Sequence, residues 1–479
     1  MVQQAKNVDD GTRSAVETCV ERGRLAMAAF ANATQEEVDR AVTAIAWSLY
    51  EPDNARYLAE MAVRDTGLGN VADKIVKNQR KTFGTLRDLL RAKTVGMISD
   101  DPERGLTKFA KPVGVVAAVT PSTNPAATPI NKAMMAVKGG NAVVIAPSPS
   151  GWTTTAETIR LAREELAKVG APVDLLQVLP EPVTRADTEE LMGAADLVVA
   201  TGSQNNVRRA YSSGTPALGV GAGNVPVIID TSADLVGAAT KITASKTFDN
   251  ATSCSSENSL VILDEVYDDA MTALQAAGGY RSQPDEADRV IARLFPDGKL
   301  ERRLIAQDYP DLRASFELGG SDDDRYVIVE EPEPGADRPL TGEKLSLVLA
   351  VYRATDLDDA IAIVGRILEF QGIGHSVGIH TAEPDNATRV AEALPVVRVL
   401  VNQAHTFGNG GSFDNALPFT LSMGCGTWAG NSISENLNIE HFINITHLVR
   451  TIEPDQPTEG ELFGSHWAIV GREPVSAAR

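Results

Sequence analysis

Between residues 113 and 199, short apolar, β-branched runs alternate with stretches of helical spacing, and no other feature constrains the fold as tightly. The runs at 113–119, 142–145, 175–178 and 197–199 read as strands, and 129–138, 153–168 and 184–192 read as helices. Strand–helix units of this length build a parallel sheet. Right-handed crossovers then wind it into a Rossmann-like layer with helices on both faces. A second alternating series follows 226–230, with strands predicted at 259–263, 345–351, 377–380 and 397–401 and helices at 264–277, 356–369 and 386–393. The fold class is therefore α/β, with two such domains.

Ahead of the first series, 13–91 carries apolar positions at helical spacing, among them Val38, Val42, Ile45 and Leu49, with a break at Asp65-Thr66-Gly67. Residues 100–108 are charged and contain Pro and Gly, which suits a hairpin leaving the core. Residues 281–340 are rich in Asp, Pro and Gly and are expected to form loops and insertions. The run 441–452 reads as a terminal strand of the kind that pairs with another subunit. At 479 residues the chain is too long for one core.

Composition narrows the partners. The net charge of −20 repels phosphate backbones and anionic membranes, so neither nucleic acid nor a membrane is expected. An anionic substrate would need local positive charge to overcome that field. The start of the chain has no apolar run behind a basic segment, and no stretch approaches the ~18 apolar residues of a membrane span. The three cysteines, Cys19, Cys254 and Cys425, are far apart, which fits a reducing, cytoplasmic compartment. The six histidines have no metal-ligand spacing, so no metal is expected.

Cys254 lies among small polar residues, in Thr252-Ser253-Cys254-Ser255-Ser256, as a loop-end thiol would. A reactive thiol needs such exposure, whereas most lone cysteines are buried small hydrophobes. Thr120-Pro121-Ser122-Thr123-Asn124-Pro125 follows a parallel strand, where ligands bind. Asn124 can offer an amide to an oxyanion there, or simply form an Asn-Pro turn. Thr201-Gly202-Ser203 stands between strand and helix and can hold a phosphate, or only cap the helix. Gly219-Val220-Gly221-Ala222-Gly223-Asn224 lacks the GxGxxG spacing and leads into a strand, so it reads as a tight turn that brings backbone close to a ligand.

These residues together resemble the aldehyde dehydrogenase superfamily, and within it the CoA-acylating branch. The resemblance runs from about Val38 to Arg450. It rests on Lys111-Pro112-Val113-Gly114-Val115, Pro121-Ser122-Thr123-Asn124-Pro125, the glycine turn at 219–224, Glu343-Lys344-Leu345-Ser346 and Gly424-Cys425-Gly426-Thr427-Trp428, in that order. It implies a nicotinamide-binding domain over 1–96 and 111–230, a catalytic domain over 231–420, and an oligomerisation element with a tail over 97–110 and 421–479. Carried over by position, Cys254 is the nucleophile and Asn124 an oxyanion donor. Glu343 holds the nicotinamide ribose, and Thr120, Pro121, Ser148, Thr201, Gly202, Ser203 and Gly221 surround the cofactor. The partners implied are a small aldehyde and coenzyme A, in a homodimer or homotetramer.

Two departures from hydrolytic relatives inform this reading. Val220 stands where those enzymes carry the glutamate that activates water, and a positioned base is worth about 10²–10⁴-fold. Ile145-Ala146-Pro147-Ser148-Pro149-Ser150 has neither the lysine nor the glutamate found there in many relatives, so NAD is favoured while NADP stays open. Ser203-Gln204-Asn205-Asn206, the Cys254 loop and Asn438-Ile439-Glu440-His441 look most similar to a subgroup that oxidises sulfoacetaldehyde, with Arg208, Arg209 and His405 as candidate anion contacts. A hydrolytic dehydrogenase, an acyl-phosphate reductase and a catalytically silent binding protein are the alternatives.

Overall fold

The structure is a computed structural model that describes residues 14–471. The polar start of the chain and the last eight residues of the expected tail lie outside the described residues.

In chain order the strands are β1 (Met97–Asp101), β2 (Leu106–Pro112), β3 (Val115–Thr120), β4 (Ala142–Pro147), β5 (Leu176–Val178), β6 (Leu197–Ala200) and β7 (Ala217–Gly219). They continue as β8 (Val225–Ile229), β9 (Glu257–Leu263), β10 (Gly279–Arg281), β11 (Tyr326–Glu330), β12 (Val348–Ala354), β13 (Val377–His380), β14 (Val399–Val401) and β15 (Ile443–Val449). Three sheets result. One is five-stranded in the order β5-β4-β3-β6-β7, one is seven-stranded in the order β10-β11-β12-β9-β8-β13-β14, and one is three-stranded in the order β1-β2-β15. The first two are parallel throughout, and the third is antiparallel. Every residue of β3 and β4 is buried. This is why those strands read as unbroken apolar runs rather than alternating ones.

Four helices, Ala15–Phe30, Gln35–Tyr50, Pro52–Thr66 and Val71–Arg91, precede the sheets. Ser14 and Thr34 open the first two with capping boxes, and Pro52 sits in the first turn of the third. Among the described residues no helix is long and apolar enough to cross a membrane.

The structure corrects the sequence reading in three places. Residues 281–340 contain the helices Pro284–Leu294 and Tyr309–Phe316, and strand β11. Proline stands in the first turn of both helices, and Asp285 and Glu286 follow it in the first. Those residues start helices rather than break them, while Val290 and Leu294 supply the buried face. Next, β8 pairs with β9 and β13. The chain therefore enters the larger sheet at the glycine turn, not at 230. Finally, 345–347 is not strand. Leu345 has φ +45°, outside the β region, and β12 begins at Val348.

Candidate active site

A cavity of about 400 Å³ opens between the two parallel sheets. Its walls come from segments after β3 (Pro121 to Asn124), β6 (Thr201 to Gln204) and β7 (Val220 to Gly223), and before β9 (Thr252 to Ser255), β12 (Glu343, Leu345) and β13 (Gln371, His375). The carboxyl ends of the smaller sheet thus meet the amino ends of the larger one. The smaller sheet reverses its winding between β3 and β6, and loops outside the carboxyl ends at such a switch point form a crevice.

Cys254 occupies a turn directly before β9, with Ser256 N–H donating to Ser253 O at 3.0 Å. It is a free thiol, partly open to the cavity. Burial, and then the nearby Glu343 carboxylate, push it up to about 12. Glu343 is itself pushed up to about 8 by burial, against the pull of Lys344 and Lys246. The glycine turn explains their closeness. A Cβ on Gly223 would stand 2.6 Å from Cys254 Cβ and 2.7 Å from Glu343 Oε1, so only glycine fits between them. Val220 lines the same wall and carries nothing that can take a proton.

The nucleophile turn is reached through strained backbone. Asp249, Asn250 and Ala251 have φ of 49°, 52° and 59°. Each left-handed residue costs roughly 1–2 kcal/mol without glycine. The conformation is held by Asp249 N–H on Asp73 Oδ2 at 2.8 Å and by Asn250 Nδ2 on Asp308 Oδ1 at 2.7 Å. Burial works against the Asp249 charge, but Lys77 and Lys74 overcome it and hold the carboxyl below its ordinary value.

Several cavity residues carried no signal in the sequence reading. Lys81, from the helix Val71–Arg91, is the only lysine or arginine lining the cavity among the described residues. Its Nζ donates to Gly410 O at 2.8 Å, and burial pushes it down to about 7. His375 donates or accepts through Nδ1 with Ser376 Oγ at 2.7 Å, while its Nε2 has no partner among the described residues. Burial, with Arg398 adding, keeps it neutral far below its usual range. A basic stripe at 74, 77 and 81 on one helical face was the available clue to the lysines.

Of the residues expected around a cofactor, Pro121, Thr201, Gly202, Ser203, Gly221 and Glu343 line the cavity, as do Cys254 and Asn124. Thr120 and Ser148 end β3 and follow β4, just outside it, with Ser148 N–H donating to Thr120 O at 3.1 Å. The residues fit a dinucleotide. Among the described residues Thr120 Oγ1 and Glu343 Oε1 are buried without a partner, and Ser203 caps a helix whose first amides lie at the carboxyl end of β6. The candidate anion contacts fall away. His405 is buried, bonds Ser255 O through Nδ1 at 3.0 Å and is driven to about 3 by burial. Arg209 pairs with Glu189 at 3.3 Å, Arg208 is exposed, and neither lines the cavity.

A cysteine, a side-chain amide and a crevice between two parallel sheets define an enzyme class as well as a fold. A profile described as "Aldehyde dehydrogenase family" matches residues 2–287, and the chain belongs to that family. It is 52% identical to an acylating sulfoacetaldehyde dehydrogenase of Cupriavidus necator, over 96% of this chain and 93% of that one. An acylating sulfoacetaldehyde dehydrogenase of Bilophila wadsworthia is 42% identical, over 95% and 98%. The crystal structure of an acetylating aldehyde dehydrogenase from Geobacillus thermoglucosidasius superposes with a TM-score of 0.89 at 35% identity, covering 93% of this chain and 98% of that one.

Proposed function

We propose that this protein oxidises a small anionic aldehyde, best matched by sulfoacetaldehyde, to its acyl-CoA through a thioester on Cys254. The observation that carries the acylating reading is Val220 on the wall of the cavity that Cys254 also lines, at the position where hydrolytic relatives place their base. The two acylating relatives above support it. The smaller sheet then serves the cofactor, the larger one carries the nucleophile, and the three-stranded sheet serves assembly in a cytoplasmic homo-oligomer.

The Cys254 thiol gives up its proton to water, its sulfur adds to the carbonyl carbon, and the charge that forms on oxygen meets the Asn124 amide and the Cys254 backbone N–H. A bound nicotinamide supplies the acceptor for the hydride that leaves this adduct. Pro121, Thr201 to Ser203 and Gly221 would hold it, with Glu343 on its ribose hydroxyls. Cys254 is left as a thioester. The CoA thiol then attacks the acyl carbon and the Cys254 thiolate departs. His375 is the neutral imidazole in the cavity able to accept a hydrogen bond from the thiol, and the thiol proton is taken up by the departing Cys254 sulfur, whose proton affinity burial raises. Lys81, pushed down to about 7 by burial, is held in its charged form when an anion binds beside it, and then offers the cation that an anionic aldehyde needs inside a chain of net charge −20.

Rapid mixing with NAD and sulfoacetaldehyde tests this. Without CoA, NADH should appear as a burst of about one per site and then stop, and CoA should restart turnover with release of a thioester. Continuous CoA-independent release of free acid would return the chain to the hydrolytic class. Lys81→Met should cut kcat/KM for sulfoacetaldehyde far more than for acetaldehyde, and an equal loss on both would remove the anionic preference.

A further inference from the structure

We propose that Lys77, anchored by Asp249, is a positioning residue that fixes which end of the Asn124 amide faces the reacting carbonyl. The proposal rests on the reading of Asn124 as oxyanion donor. An asparagine amide has a donor end and an acceptor end, and half a turn about its last bond exchanges them. With the oxygen inward, the site would repel the charge it has to stabilise.

Lys77 Nζ lies 2.9 Å from the Asn124 side chain. An ammonium only donates, so the end it meets must be the oxygen. Nδ2 is thereby turned the other way. Its contact there is Thr123 Oγ1 at 3.4 Å, too long to hold the amide by itself. Lys77 has no freedom of its own, because its three protons are spent on Asn124 Oδ1, Asp249 Oδ2 and, at 3.0 Å, Thr252 Oγ1. Both charged partners are buried.

The same cluster ties the two halves of the site to one helix. Lys74 Nζ donates to Thr123 O at 3.0 Å and to Asp249 Oδ2 at 3.1 Å. Asp249 Oδ1 accepts from Asn70 N–H at 3.0 Å, and Asp249 Oδ2 accepts from Thr252 Oγ1 at 2.8 Å. The loop carrying Asn124 and the turn carrying Cys254 are therefore registered against the helix Val71–Arg91. Two lysines facing one aspartate also leave positive charge behind the amide, the sign that favours a developing oxyanion.

A double-mutant cycle between Lys77 and Asn124 tests the proposal, read as the first-turnover rate of NADH formation, with KM for NAD measured alongside. Lys77→Met is expected to slow that rate by about 10–100-fold with KM for NAD within about twofold. In an Asn124→Ala background the same change should cost less than about threefold, because the group it acts through is gone. Lys77→Gln, too short to reach Asn124 but polar toward Asp249, takes the place of Lys77→Met if the latter does not fold. Losses that multiply independently, or a Lys77 variant with the normal rate, overturn the positioning role. An unchanged rate in Asn124→Ala alone defeats the oxyanion reading itself, a separable result.

Discussion

Cys254 and Glu343 sit in an environment that opposes the charge of each, and the opposition has measurable consequences. Burial places Glu343 at about 8 in the fold, against 4.5 in an open chain. The native state then binds the extra proton between those values, so its stability falls as pH rises through that window. Glu343→Gln carries no such penalty. Its melting temperature should equal that of the parent protein below about pH 4.5, and exceed it increasingly toward pH 8. A gain of equal size at every pH would assign the effect to packing instead. Glu343 is also the next cause, after burial, that raises Cys254. Above about pH 8, where Glu343 is charged, Glu343→Gln should therefore speed alkylation of Cys254 by iodoacetamide at fixed pH, since the thiolate is the reacting species. Cys254→Ala should abolish NADH formation with the melting temperature within a few degrees of the parent, and turnover by that variant would exclude the thioester. Cys254 was legible because a thiol among small polar residues is an unusual neighbourhood. Lys77 was not, since its meaning lies in contacts with residues 124, 249 and 252, which no local pattern joins to it.

At the scale of elements, the glycine turn shows how one segment can be read correctly in form and incompletely in use. The spacing of Gly219, Gly221 and Gly223 fails the dinucleotide pattern, and the turn indeed leads into β8 rather than a helix. What it approaches is the nucleophile and Glu343, a tertiary fact. Its most informative residue is Val220, on the cavity wall. Val220→Glu should add a slow, CoA-independent release of free acid after the burst, followed as acid per NADH. An acid yield no higher than that of the parent would mean that a base at this position cannot reach the thioester. The parallel strands β3, β4, β6, β8, β9 and β13 were legible because full burial writes itself as apolar runs. The helices within 281–340 were not, because their first turns consist of the same Pro and Asp that mark loops, and only the buried Val290 and Leu294 distinguish them.

The whole molecule leaves one sheet unfinished. β15 pairs with β2 along one edge and, among the described residues, presents the other edge unpaired, with Ile445 and Val449 43% and 70% exposed. The helix Glu459–Val470 follows it with no buried residue, and Leu462, Phe463, Ile469 and Val470 are all exposed. An open edge strand invites pairing with another chain, and contiguous exposed apolar side chains mark association surfaces. A two-fold arrangement is the simplest closure, since one patch then meets its own copy. The parent protein is accordingly expected to run as a dimer or tetramer in size-exclusion chromatography with light scattering. Ile445→Asp combined with Val449→Asp would set carboxylates along the strand where a neighbour would lie. That variant should shift to a smaller species while retaining its helix content by circular dichroism. The cavity is built between the parallel sheets, with no wall from β15. The burst of NADH in the first turnover should therefore survive at normal amplitude in the smaller species. A monomeric parent protein would refute the assembly, and loss of the burst in a folded variant would show that the neighbour contributes to the site.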